Sequence, residues 1–255
     1  MTASHRIYLD AVGGQPWSAA AKSAFDLARD QATASPHGVH FESAVTRQFH
    51  EAAFETLRNL WQTEAIFAVS GMSAAFRLAL SGIAEKHSVA LNPLSRRGVL
   101  ELVHGICAPT MLDCDDKGFV NHATSADVLV TQAGNQEVGT ISNLRHNNTS
   151  IVIADATEFI GRLSNLPEAD ILVARASAWA GPADVCFVID RHKLLNVNER
   201  QRRTLEPDVA SLVASVAALE SMDNEVWKTH FSIIDEIRRN VSANFDVLGD
   251  STSRL

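Results

Sequence analysis

Cysteine is scarce in this 255-residue chain: Cys107, Cys114 and Cys186 form neither a CxxC pair nor an even set. That excludes a disulfide framework and the usual cysteine spacing of a zinc site, and it predicts reduced thiols in a cytoplasmic setting. No apolar run approaches the length of a membrane span. The opening MTASHRIYLD has no apolar core and no small-residue cleavage pattern, so no signal peptide is expected. Positive charge is also short, with 22 basic against 30 acidic side chains and a net charge of −8. Nucleic acid, which demands local positive charge, is therefore not the expected partner, nor is a membrane. The one basic cluster, Arg200, Arg202 and Arg203, reads as a solvated loop or helix flank. Internal repeats and low-complexity segments are missing too.

What is present is a well-patterned interior. At 46% hydrophobic and 20% charged, the chain suits one large domain, or one domain plus a small appendage. Short runs rich in Val, Ile, Leu and Ala predict strands over 64–69, 88–91, 110–113, 127–131, 150–154, 170–174 and 185–189. A helical stripe covers 44–61, a helix is expected after Ser70-Gly71, and a third after Pro93 as far as Cys107. Alternation of this kind predicts a three-layer α/β fold with a mostly parallel, seven-stranded sheet. Residues 191–204 read as a polar loop. Beyond them, Val209 to Leu219 mark an amphipathic helix with Pro207 near its first turn. Trp227, Phe231, Ile234, Ile237 and Val241 mark a second, capped by Asp223 or Asn224. The expected division is a segment 1–15, a large domain 16–204, and C-terminal helices within 205–255.

Several constellations follow predicted strands. Ser70-Gly71-Met72-Ser73 stands at a strand-to-helix junction, where outward N–H groups favour an anion; an ordinary β–α turn has the same look. In TQAGNQEVGT, residues 131–140, Asn135 and Gln136 offer amide donors at a sheet edge where such folds bind ligands, though a plain polar loop reads alike. Asp155 ends a strand and can hold a protonated heterocyclic nitrogen or cap a helix, and Glu158 follows as a second carboxylate. His37 and His40 have metal-like spacing in a Pro/Gly loop without a Glu or Cys partner in sequence, which favours a structural loop over zinc. Cys186 falls inside a strand and is expected to pack as a small apolar residue. Ser177 lacks the Gly-x-Ser-x-Gly elbow of a hydrolase nucleophile.

In order and setting, these motifs resemble the cysteine desulfurases of the class V aminotransferase family, which are fold type I pyridoxal-phosphate enzymes. Ile7-Tyr8-Leu9-Asp10 resembles that family's opening Tyr-Leu-Asp, and residues 35–40 its Asn-Pro-Ser-Ser-x-His. Residues 67–73 are similar to Phe-Thr-Ser-Gly-x-Thr-Glu, the loop that cups the cofactor phosphate. Residues 133–140 are similar to Ala-Asn-Asn-Glu-Thr-Gly-Thr beside the pyridine ring, and residues 155–158 to Asp-Ala-x-Gln. Glu206-Pro207-Asp208-Val209-Ala210 resembles Thr-Pro-Asn-Val-Ala. Before Gly181-Pro182, the family's Ser-x-His-Lys becomes Arg175, Ala176, Ser177 and Ala178.

The departures fall on the chemistry. The resemblance puts Met72 in the phosphate loop, Asn92 at the ring-stacking His, Glu158 at a Gln, Arg175 and Ser177 at the phosphate side, and Ala178 at the lysine that forms the imine. No alanine can form it. Ser70, Gly71, Asn135 and Asp155 keep their counterparts. The family's small domain, with its sulfur-accepting Cys, lies beyond the matching part. The resemblance thus implies a protein that has lost catalysis, with no catalytic residue and no metal, and with pyridoxal phosphate absent or held without a covalent bond. It also implies a homodimer, or a binding or regulatory role with an active desulfurase or another protein. Two alternatives stay open at this stage: a working enzyme with a non-covalent cofactor or a residue lent by a partner chain, and a truncated remnant without function.

Overall fold

A computed structural model describes residues 15–121, 124–135, 140–141, 144, 151–160, 166–222, 232–233, 235–237 and 239–241. The motif at Ile7 to Asp10, the loop residues Gln136 and Gly139, the caps Asp223 and Asn224, and Trp227, Phe231 and Ile234 lie outside the described residues.

Seven strands form the central sheet: β1 Ile66–Ser70, β2 Val89–Leu91, β3 Thr110–Met111, β4 Val128–Gln132, β5 Ile151–Asp155, β6 Ile171–Arg175 and β7 Val185–Asp190. Their spatial order is β1-β7-β6-β5-β4-β2-β3. All pairs are parallel except those of β7, which runs antiparallel to both β1 and β6. This is the mostly parallel, seven-stranded architecture expected from the alternating pattern. One consequence matters for function: β1, β2, β4, β5 and β6 all end at the same edge of the sheet.

Burial on both faces explains the apolar strands. Val185, Phe187 and Ile189 of β7 join Leu57, Trp61, Trp179 and Leu212 on one face. Cys186 and Val188 join Phe76, Leu80 and Val103 on the other. Each large apolar side chain removed from water contributes roughly 1.5–3 kcal/mol, so this period-two alternation fixes the register. Helices α1 Ala19–Gln31, α2 Phe41–Trp61 and α6 Val209–Glu220 supply the first layer; α3 Met72–Leu80 and α4 Arg97–Ile106 supply the second. Cys186 is fully buried, and burial pushes its thiol up to about 12.

Several local expectations need correction. Residues 191–204 are not all loop: α5 Glu199–Leu205 starts on a capping box, in which Asn198 accepts from the Gln201 N–H and Gln201 accepts from the Asn198 N–H. The polar composition hid a solvated helix held by Arg202–Glu206 and Arg203–Glu199 pairs, the contacts that also occupy most of the basic cluster. Pro207 lies outside α6, one residue before its cap Asp208. Helix α4 begins at Arg97, because the residues after Pro93 form a turn. The predicted strand 110–113 stops at Met111; Asp113–Cys114 instead pairs with Val120–Asn121 in a hairpin. Helix α1, built on a weak apolar stripe, was not expected, yet it packs closely against α6 with Ala21 and Ala28 buried. Of the last predicted stripe, Ile237 and Val241 are helical and exposed.

Candidate functional site

The shared strand edge gathers the residues singled out by the sequence. Ser70 ends β1, and Gly71 turns the chain with φ 92° into α3, whose first residue is Met72. No neighbour crowds Gly71, so it is required there for its backbone freedom alone. Its N–H donates to the Asp184 carbonyl at 2.6 Å. Asn92 follows β2, Asn135 follows β4, Asp155 ends β5, and Arg175 ends β6. Ser177 and Ala178 occupy a 3-10 turn, Ala176–Trp179, directly after β6, and both are buried.

The turn is held from outside the sheet. Trp179 donates its indole N–H to the Ser215 carbonyl at 3.0 Å, and the Ser177 carbonyl accepts from the Gln15 N–H at 2.9 Å. Ala180 takes a left-handed conformation, and Gly181 lets the chain pass Ala176 and Ser215, where a Cβ would sit 3.1 Å from the Ala176 carbonyl. Ala178 therefore packs in a buried apolar cluster together with Trp179 and Phe187. Among the described lysines, Lys22, Lys86, Lys117 and Lys193 are all exposed, on α1, after α3, in the turn before Phe119 and after β7.

A network that the sequence did not reveal closes the edge. The loop after β2 is laced to the ends of β4 and β5. Asn92 donates its amide to Thr131 Oγ1 at 2.9 Å and accepts from the Leu94 N–H at 2.8 Å. The Leu94 carbonyl accepts from the amides of both Gln132 (3.1 Å) and Asn135 (3.0 Å). Two residues on, Arg96 reaches across β4. Its Nη2 donates to Glu158 Oε1, and its Nε lies 3.3 Å from Asp155 Oδ2. Both carboxylates are nearly sealed, at 3% and 7% side-chain exposure. Asp155 Oδ1 accepts from the Thr157 N–H at 2.9 Å, so this carboxylate caps a turn as well. The pair Asp155 and Glu158 is thus joined through a cation of the chain itself.

Arg96 was not singled out because nothing in a single sequence separates it from Arg97. Arg97 is exposed and pairs with Glu101 one turn along α4. Only the strand order, which puts β4 between β2 and β5, brings Arg96 to the two carboxylates.

A second cluster lies elsewhere. His37 Nε2 is 3.0 Å and His50 Nε2 is 3.4 Å from Glu206 Oε2, and Arg202 Nε is 3.1 Å from Oε1. Burial acts to raise the Glu206 carboxyl, but the imidazoles of His50 and His37 and the charge of Arg202 outweigh it and hold it at about 2. A cleft of about 400 Å³ adjoins it, lined by His37, Glu206, Arg29, Arg203 and Phe25. None of the strand-edge residues lines this cleft. His40, the other member of the His-x-x-His pair, is exposed at the start of α2.

No family model and no curated protein matches the sequence. Solved structures do. The strand order and flanking helices give the fold of the pyridoxal-phosphate transferases, as seen in solved cysteine desulfurases. The chain is similar to a NifS-like protein, with TM-score 0.78 and 19% identity over 93% of this chain and 75% of that one. It is similar to a cysteine desulfurase from Thermococcus onnurineus, with TM-score 0.73 and 13% identity over 93% and 72%. It also resembles DndA from Streptomyces lividans, with TM-score 0.72 and 14% identity over 97% and 82%. At such identities the likeness is one of fold.

The fold raises the question of whether the residues present suit pyridoxal phosphate. One atom does: Asp155 Oδ2 is buried and, among the described residues, has no hydrogen-bond partner. The rest do not. Asn92 is engaged at both ends of its amide, Ala178 cannot form an imine, and Arg96 already compensates the charge of Asp155 and Glu158. Displacing that guanidinium would break its ion pairs to two buried carboxylates, a cost larger than one open acceptor position recovers. The site does not fit the cofactor as the chain stands.

Proposed function

We propose that this protein is a desulfurase-like fold without desulfurase or aminotransferase catalysis, acting by binding rather than by turnover. The observation that carries the reading is Ala178, buried in the turn after β6 at the position where the resemblance sets the imine-forming lysine. Cysteine chemistry points the same way. Desulfuration needs a reactive thiolate to accept sulfur, and thiolates form where the pKa is depressed. Here burial raises the thiols of Cys107 and Cys114, and it holds Cys186 near 12. In this reading the chain works in the cytoplasm, as a homodimer or in complex with another protein such as an active desulfurase. Among the described residues no helix is long and apolar enough to cross a membrane.

The test is a mass measurement. The protein is mixed with pyridoxal phosphate, reduced with borohydride and weighed intact. An unchanged mass is expected. A stoichiometric adduct on one lysine would overturn the reading in favour of a working enzyme. Light scattering with size-exclusion chromatography then reads the oligomer, for which two copies are expected.

A further inference from the structure

Deepening the reading of lost catalysis, and resting on it, we infer that Arg96, the cation bridging Asp155 and Glu158, closes the strand edge to pyridoxal phosphate even as a non-covalent ligand. Three observations converge on this. First, the carboxylate that the resemblance would aim at a pyridinium nitrogen faces a permanent positive charge, with Arg96 Nε 3.3 Å from Asp155 Oδ2. A carboxylate favours a protonated heterocycle through its negative charge, and a guanidinium against it cancels that preference. Second, Glu158 is a carboxylate where the family has a neutral amide, and it gives the guanidinium a second anchor. A guanidinium bridging two buried carboxylates is held more firmly than one paired with Asp155 alone.

Third, the loop that carries Arg96 is fixed along its length. Asn92 is tied to Thr131 and to the Leu94 N–H, and the Leu94 carbonyl takes amide donors from Gln132 and Asn135. These side chains come from the ends of β2 and β4, which flank the place where the sheet would present a ligand. In the resemblance, Asn92 and Asn135 are ring-facing groups. Here the Asn92 amide is engaged at both ends, and the Asn135 amide nitrogen donates to the Leu94 carbonyl. The edge is a polar plug built on Arg96, Asp155 and Glu158.

The plug is tested by opening it. Pyridoxal phosphate is titrated, with absorbance and tryptophan quenching as readouts, into the wild-type chain, Arg96→Gln, and Arg96→Gln with Asp155→Asn. Circular dichroism checks the fold of each. Wild type is expected to show no saturable binding in the micromolar range. Arg96→Gln should bind at least ~10-fold more tightly, and the added Asp155→Asn should abolish that gain, since it removes the carboxylate released to the ring. If Arg96→Gln does not fold, Arg96→Met with Glu158→Gln replaces it, leaving one buried carboxylate, and the same gain is expected. Saturable micromolar binding by wild type that Arg96→Gln leaves unchanged or weakens would overturn the inference. Equally, no gain in either opened variant, each shown to be folded, would overturn it. Sulfide release from cysteine, measured in parallel on wild type, reports on the loss of catalysis alone, so the two ideas fail separately.

Discussion

Two buried carboxylate clusters in this chain look alike in outline and differ in their cations. At the strand edge, Asp155 and Glu158 share the guanidinium of Arg96. Near α5, Glu206 is shared by His37, His50 and Arg202. Both clusters sew together segments far apart in sequence. The first uses one guanidinium shared by two carboxylates; the second sets two imidazoles and one guanidinium on a single carboxylate. The first ties the loop after β2 to the end of β5 at the strand edge, and the second is a clasp beside an open cleft. The strand-edge motifs gather around the first cluster, and the open cleft adjoins the second.

The sharpest way to break this contrast is at Arg96. Arg96→Ala is expected to cost about 3 kcal/mol, read as a shift of the urea midpoint, because it leaves two buried carboxylates without their cation. Adding Glu158→Gln should recover part of that loss; no recovery would mean that Arg96 acts through packing alone. At the clasp, Glu206→Gln is expected to cost up to about 3 kcal/mol at pH 7, from the fall of its carboxyl to about 2 from an ordinary 4.5. The depressed value means that the carboxylate stabilises the fold above about pH 4.5 and that this contribution drains away as pH falls toward 2. Melting curves across pH should thus show wild type losing more stability than Glu206→Gln on acidification, and equal slopes would contradict the clasp. Asn92→Ala should cost about 1–2 kcal/mol, since the Leu94 N–H loses its acceptor. Gly71→Ala, which forces a side chain into a left-handed backbone, should cost about 1 kcal/mol and leave the plug intact.

Much of the scaffold was legible because burial on both faces of a sheet writes itself as uninterrupted Val, Ile and Ala. All seven sheet strands were anticipated, and so were Ser70, Asn92, Asp155 and Arg175 as residues at or just beyond strand ends. Helix α5 was missed because its stability comes from a capping box and ion pairs, and not from an apolar stripe. Helix α1 was missed because its buried residues are small alanines, and they carry little hydrophobic signal. Arg96 was hidden for a different reason: its partners lie 59 and 62 positions away, and only the crossing of β4 by a loop brings them together. His37 and Glu206 were each in view, but their meeting through the α2 side of the molecule was not.

The central claim, that the fold persists while its chemistry is gone, is tested most directly by sulfide release. Purified protein, saturating pyridoxal phosphate and L-cysteine are incubated with a reductant, and sulfide is measured against cofactor and cysteine alone. The account predicts no release above that background. Release above background that disappears in Asp155→Asn would contradict it.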